Sequence, residues 1–178
     1  MQNKTFAEIA RPALVLFLVC LLSATALTVA NSLTRENITK NAAQRASDSR
    51  SAIFPGASLT AQAIDGTTYY KAEKNGVLIG YAIDASAKGY GGDVGIIVGI
   101  GADGKVLTVQ VVAADGETPG LGQNVKDASF LEQFKNLQSA MSETQLDAVA
   151  SATYSSRAVM EGVNDALSLY ARFAGGAQ

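Results

Sequence analysis

From Pro12 to Thr34 the chain reads PALVLFLVCLLSATALTVANSLT, 23 residues without a charged side chain. As a helix, a run of that length covers roughly 34 Å, enough to cross the apolar core of a bilayer with some tilt. Pro12 suits the first turn of such a helix, where its missing N–H costs nothing. The competing reading is a cleaved secretory signal, with Ala24-Thr25-Ala26 as its small-residue site. The apolar run continues past that site, which favours a retained anchor, residues 1–34 forming a short tail and the membrane span. After Thr34 the pattern turns polar, and Ile38, Ala42, Arg45, Ala46, Ser49, Ala52 and Ile53 recur near helical spacing. That spacing predicts a connecting helix over residues 35–54, ending before Pro55-Gly56.

From about residue 58 the period changes. TTYYKAEK, then Asn75-Gly76, then VLIGYAID predicts a hairpin closed by a type I′ turn. DVGIIVGI, Ala102-Asp103-Gly104 and KVLTVQVV predict a second. In its last strand Leu107, Val109, Val111 and Ala113 alternate with Thr108, Gln110 and Val112, so one face should be buried. Ser129 and Glu132 stand in capping-box spacing within ASFLEQFKN, a short predicted helix. From about Ser155 a final amphipathic helix is expected, with Val159, Val163, Ala166, Leu167 and Tyr170 on its buried stripe. One spanning helix, a mainly antiparallel sheet and flanking helices make an α+β fold. The hexapeptide Gly99-Ile100-Gly101-Ala102-Asp103-Gly104 matches the G-x-G-x-x-G dinucleotide fingerprint. That fingerprint requires a helix behind it, and the following KVLTVQVV alternates as a strand. The hexapeptide is read as a hairpin turn.

Composition narrows the chemistry. There are 14 Lys and Arg against 16 Asp and Glu, with no concentrated basic patch, which argues against a nucleic-acid partner. The chain has no histidine, so no Ser-His or Cys-His pair can activate a nucleophile. Its one cysteine, Cys20, lies in the apolar run, where it reads as a small filler. Neither a zinc site nor an iron–sulfur cluster can be assembled from this chain alone. Lys4 and Arg11 before the span, against Arg35, Lys40, Arg45 and Arg50 after it, weakly favour a cytoplasmic C-terminal part.

Some stretches carry more than turn chemistry. GYGGDV, residues 89–94, sets glycines around an aromatic ring, and DGETPGLGQNV, residues 115–125, packs an acid, a hydroxyl, a proline and glycines together. Glycine lets backbone approach a ligand closely, although two tight turns would use the same residues. Residues 147–156, DAVASATYSS, offer several hydroxyls just before the final helix. The order GYGG, two strands, ETPGLG, a helix, then D-x-V-x-x-A-T-x-S-S before the last helix resembles the FMN-binding domain family. That family includes the G subunit of the Rnf electron-transport complex and the C subunit of the sodium-pumping NADH:quinone oxidoreductase. The resemblance places the FMN-binding domain at residues 55–178.

The resemblance implies that Thr153, matching the threonine that closes the family's S/T-G-A-T motif, carries FMN through a phosphoester. Ala150 stands where the family has Ser or Thr, and Ser151 where it has Gly, which makes Ser151 a second candidate hydroxyl; Ala152 fits the motif. A helix N-terminus suits the phosphate charge, and Arg157 in the first turn is expected to neutralise it further. Glu117, Thr118, Gly120, Leu121 and Gly122 are expected to touch the isoalloxazine or ribityl chain. Tyr90 and Tyr154 are candidates to stack on the ring, with Ser155 beside them. The function implied is a membrane-anchored flavoprotein subunit that relays electrons and has no complete active site of its own. Its expected partners are the bilayer, the integral-membrane and redox subunits of an Rnf-type complex, and a flavin transferase that uses FAD. Such a complex couples ferredoxin/NAD electron transfer to Na+ or H+ transport. The resemblance also puts the flavin domain on the extracytoplasmic side of the cell membrane, against the local charge count. The alternatives are the C subunit of the quinone reductase and an anchored binding or assembly module that has lost the flavin.

Overall fold

The computed structural model describes residues 2–64 and 66–175. Helix α1 runs unbroken over Gln2–Ile53, so anchor and connecting helix are one element. Pro12 therefore lies inside the helix, a correction to its expected place in the first turn. An interior proline removes one ladder hydrogen bond, an interruption that spanning helices tolerate. The chain divides into two compact units, Met1–Ala43 and Gln44–Gln178.

In the first unit the side chains of Leu14, Phe17, Leu21 and Leu22 are all more than half exposed. Burying such a surface in lipid is favourable, and α1 is the one described helix long and apolar enough to cross a bilayer. The hydroxyls inside the apolar run are paired locally. Thr25 donates to the Leu21 carbonyl at 2.7 Å and Thr28 to that of Ala24 at 2.8 Å. Neither hydroxyl is left unsatisfied in an apolar medium.

The second unit is built on a five-stranded antiparallel sheet in the order β1-β2-β3-β4-β5. The strands are β1 Ser58–Ile64, β2 Thr67–Lys74, β3 Val77–Lys88, β4 Asp93–Gly101 and β5 Val106–Ala113. Asn75 and Gly76 both have positive φ, 54° and 77°, as the type I′ turn between β2 and β3 requires. The G-x-G-x-x-G stretch ends β4 and enters the hairpin turn to β5, with the Gly101 N–H donating to the Lys105 carbonyl at 2.8 Å. The first strand was not expected. Its residues, SLTAQAI, are mostly exposed at the sheet edge, so no alternation marks them.

The alternation expected of β5 is broken by a register shift near each end of its pairing with β4, at Val112 and at Leu107. Val98 pairs with Val109 and Ile100 with Val106, so a bulge passes over Leu107. The extra residue turns Leu107 outward, 45% exposed, and puts Val106 into the core instead. The predicted helix at ASFLEQFKN is also shorter than its pattern suggests. Helix α2 covers only Ala128–Leu131, has Asp127 rather than Ser129 at its N-cap, and passes into a 3-10 turn over Glu132–Phe134. It stops there because the Asn136 N–H and the Leu137 carbonyl bond to Val106 on β5.

Helix α3, Thr153–Gly175, lies across β3 and β4. Val159, Val163, Ala166 and Leu167 pack with Ile83, Ile96, Val98 and Val109 in the main core, and Tyr170 borders it. A second cluster of Phe54, Ala72, Ala82 and Ile97 gathers Ala46 and Ile53 from the last turns of α1. Arg50 fixes that end. Its Nε and Nη2 donate to the two Asp84 carboxylate oxygens at 3.0 and 2.7 Å, and its guanidinium sits 4.0 Å from the Tyr70 ring centroid. Lysine keeps the charge but not the two-pronged geometry or the stacking. Arg50→Lys is expected to cost about 1–2 kcal/mol, read as a lower unfolding midpoint of the full chain in detergent.

Candidate functional site

The site is assembled from the glycine loop 89–92 before β4, the loop 115–121 after β5, and the first turn of α3. One side chain holds them together. Glu117 is only 2% exposed. Its Oε1 accepts the Gly91 N–H at 3.0 Å, and its Oε2 accepts the hydroxyl of Ser155 in the first turn of α3. Burial by itself would push this carboxyl up. The Ser155 hydroxyl and the backbone N–H groups of Gly91, Tyr90 and Gly92 outweigh burial and hold it below the ordinary carboxylate range.

Close backbone approach makes this possible. A Cβ on Gly91 would run into the Gly116 carbonyl of the facing loop. One on Gly122 would lie 2.7 Å from the Ser155 hydroxyl oxygen and 2.8 Å from Glu117 Oε2. Both glycines therefore serve the crossing of chains around the carboxylate rather than turn formation alone. Asp115, two residues before Glu117, pairs with Arg45 at 3.3 Å and Lys126 at 3.9 Å, which ties this loop to the end of α1.

Above the clamp lies an open cavity of 320 Å³. Of the residues expected from sequence, Glu117, Thr118, Leu121, Gly122, Ser151, Ala152, Thr153, Tyr154 and Ser155 line it, as does Tyr90. Gly120 does not. It has φ 74° in the turn closed by the Leu121 N–H on the Thr118 carbonyl, so it shapes the loop without reaching the cavity. Nor does Arg157. Its Nη2 pairs with Glu143 Oε2 at 3.1 Å. Glu117 contributes to the wall, but both carboxylate oxygens are committed to the protein. Nothing in the sequence announces the Glu117–Ser155 bond, which joins positions 38 residues apart.

Thr153 is the first residue of α3 and is exposed. The helix thus starts two residues earlier than the apolar stripe suggests. The preceding turn is closed by the Ala152 N–H on the Val149 carbonyl at 3.0 Å, and the Val149 N–H donates to the Ser156 hydroxyl at 3.0 Å. The first N–H in this helix to find a carbonyl four residues back is that of Ser156, on Ala152 at 2.9 Å. Earlier N–H groups of the turn have no such partner and suit an anion. The mouth of the cavity carries Tyr90, Tyr154 and Leu121, exposed by 75%, 64% and 43%. The two tyrosine rings have centroids 6.5 Å apart. A reachable hydroxyl, free N–H groups, aromatic faces and an open cavity fit a planar cofactor bearing a phosphate, such as FMN. No group of His, Cys, Asp and Glu that could hold a metal ion occurs among the described residues.

Comparison with known proteins points the same way. Residues 89–168 match the FMN-binding domain family. The chain is similar to the G subunit of the proton-translocating ferredoxin:NAD(+) oxidoreductase complex of Clostridium ljungdahlii. The two are 35% identical over 116 residues, covering 61% of this chain and 62% of that protein. It is also similar to the G subunit of the ion-translocating oxidoreductase complex of Stutzerimonas stutzeri, 28% identical over 90% of this chain and 80% of that one. Among solved structures, the C subunit of the Na(+)-translocating NADH-quinone reductase from Parabacteroides distasonis gives a TM-score of 0.49 at 22% identity. That match covers 60% of this chain and 61% of the other. The chain spans less than two thirds of the length of the Clostridium ljungdahlii and Parabacteroides distasonis proteins. The matched segment, residues 89–168, contains every residue that lines the cavity.

Proposed function

We propose that this chain is the G subunit of an Rnf-type complex, a membrane-anchored electron carrier with FMN joined covalently to Thr153. The exposed Thr153 hydroxyl, at the first residue of α3 in the wall of the cavity, carries this reading. The names of the relatives, subunits of ion-translocating oxidoreductases, support it. In attachment, Thr153 Oγ bonds to the riboflavin-side phosphorus of FAD as the pyrophosphate bond breaks. AMP leaves with the bridging oxygen. The hydroxyl proton passes to a base on a separate flavin transferase, because this chain has no histidine to accept it.

FMN, when bound, supplies one- and two-electron transfer. The protein's part is to hold and shield it. The helix N-terminus receives the phosphate, Thr118 and Leu121 face the ligand, and Tyr90 and Tyr154 offer ring faces. Electrons then pass between other redox subunits of the complex, which couples ferredoxin/NAD chemistry to movement of Na+ or H+.

Produced with its transferase, the chain should give a fluorescent band under ultraviolet light on a denaturing gel. A dark band from a folded, membrane-bound chain would identify a flavin-free binding or assembly module instead. The anchor is retained in this reading and the flavin domain lies outside the cytoplasm. Protease added to intact spheroplasts should therefore digest the domain, and intact mass should include residues 1–26. Protection of the domain, or a mature N-terminus at Leu27, would contradict it.

A further inference from the structure

Ser151 is held at φ 61°, in the left-handed region. It is the third residue of the turn closed by Ala152 on Val149, and Ala150 before it has no positive φ. That combination describes a type II turn, whose third position favours glycine because a Cβ there crowds the backbone. Among the described residues the other non-glycine positions with positive φ are Asn75 and Asn136, of a type that visits this region readily. A serine that keeps such a conformation carries strain that glycine would relieve. No hydrogen bond within the protein repays it, since the Ser151 hydroxyl has no partner among the described residues. The residue is exposed and lines the cavity two positions before Thr153.

The electrostatics of the cavity add a second argument. Its lining contains one charged residue, Glu117, and no lysine or arginine. Arg157 is paired with Glu143, and Lys126 with Asp115. A phosphodiester at Thr153 keeps one negative charge, so neutral donors must meet it. The free N–H groups at the start of α3 supply some, and an unpartnered hydroxyl beside them supplies another.

We propose that Ser151 is a positioning residue for the phosphate joined to Thr153, its hydroxyl donating a hydrogen bond to a phosphate oxygen. This rests on the assignment of Thr153 as the attachment point. The hydroxyl orients the diester and so fixes the direction in which the flavin leaves the helix. Local strain at a ligand-facing position is the structural cost of having that donor there.

The test compares the full-length chain, wild type, Ser151→Gly and Ser151→Ala, each produced with and without the flavin transferase. Without flavin, Ser151→Gly should melt at a higher temperature than wild type, and Ser151→Ala near it. With flavin attached, the rise in melting temperature over the flavin-free form should be smaller in both variants than in wild type. The ³¹P resonance of the attached phosphodiester should move in both. Relief of strain alone cannot produce that pattern, because alanine keeps the strain and loses only the hydroxyl. With the wild-type adduct mapped to Thr153, a folded Ser151→Ala chain that takes up no flavin would equally show that the hydroxyl is needed. Equal flavin-linked gains with an unmoved ³¹P resonance would overturn the proposal, and the resonance decides if the two disagree. A wild-type chain with no adduct on Thr153 would overturn the attachment assignment as well. An adduct there with unchanged variants would overturn the role of Ser151 alone.

Discussion

Glu117→Ala is expected to lower the unfolding free energy of the full chain in detergent by about 3–5 kcal/mol, a loss at the upper end for one substitution. The residue is 2% exposed and accepts hydrogen bonds from the Gly91 N–H and the Ser155 hydroxyl. Its removal leaves those buried donors without an acceptor and opens a void between tightly crossed loops. Glu117→Gln keeps the shape but loses the charge and turns one acceptor oxygen into an N–H donor, which the rotatable Ser155 hydroxyl can accept, so at neutral pH it should cost about 1–2 kcal/mol. The pH dependence has a definite sign. The folded state holds this carboxyl below its ordinary value of 4.5. The stability it lends is therefore fully present above that value and drains away as pH falls through the lower folded value. Near-ultraviolet circular dichroism of chemically unfolded samples from pH 7 downward should show that acid-dependent loss in wild type. It should be reduced in Glu117→Gln. Equal acid sensitivity in the two proteins would show that the carboxylate does not act as the ionised centre of the clamp.

Thr153→Val should abolish covalent flavin while leaving the fold nearly untouched. Valine keeps the β-branched shape at the first residue of α3 and removes only the oxygen. Thr153 is exposed, and its hydroxyl makes no hydrogen bond among the described residues. The stability change should therefore stay within about 0.5 kcal/mol. The neighbouring hydroxyls cannot take its place. Ser155 is buried on Glu117, and Ser156 is buried accepting the Val149 N–H. Ser151 is exposed but stands outside the helix, in the turn before it. Fluorescence on a denaturing gel should fall to background in Thr153→Val, with an unfolding midpoint close to wild type. A fluorescent band of normal strength in the variant would remove Thr153 from the attachment site.

Much of this architecture can be read from residue pattern because it depends on local chemistry. Asn75-Gly76 dictates its turn through φ, and the stripe from Val159 to Tyr170 marks which face of α3 is buried. Edges and irregularities escape such a reading. Strand β1 has an exposed edge position that asks little of its side chains, and the bulge at Leu107 is set by pairing with β4 rather than by its neighbours in sequence. The site divides in the same way. The glycine loop, the segment around Thr118 and the hydroxyls near Thr153 are recognisable because each motif is continuous. The Glu117 clamp and the pairing of Arg157 with Glu143 depend on residues brought together only by folding. Arg157 looks suited to a phosphate on position alone, and folding also brings it beside the Glu143 carboxylate. Ser151 looked like a spare nucleophile, and only its backbone conformation reveals the strained turn it occupies.

A bond between FMN and one threonine is what would make this chain a flavoprotein. Trypsin cutting after Lys135 and Arg157 releases residues 136–157, a peptide that holds Thr153 together with Ser151, Ser155 and Ser156. Fragmentation mass spectrometry of that peptide, from chain purified out of membranes that contain the flavin transferase, tests the claim most directly. The FMN mass should ride on Thr153 alone, and the corresponding peptide from Thr153→Val should carry none. The same mass on Ser151, Ser155 or Ser156, or an unmodified peptide from the wild-type chain, would contradict it.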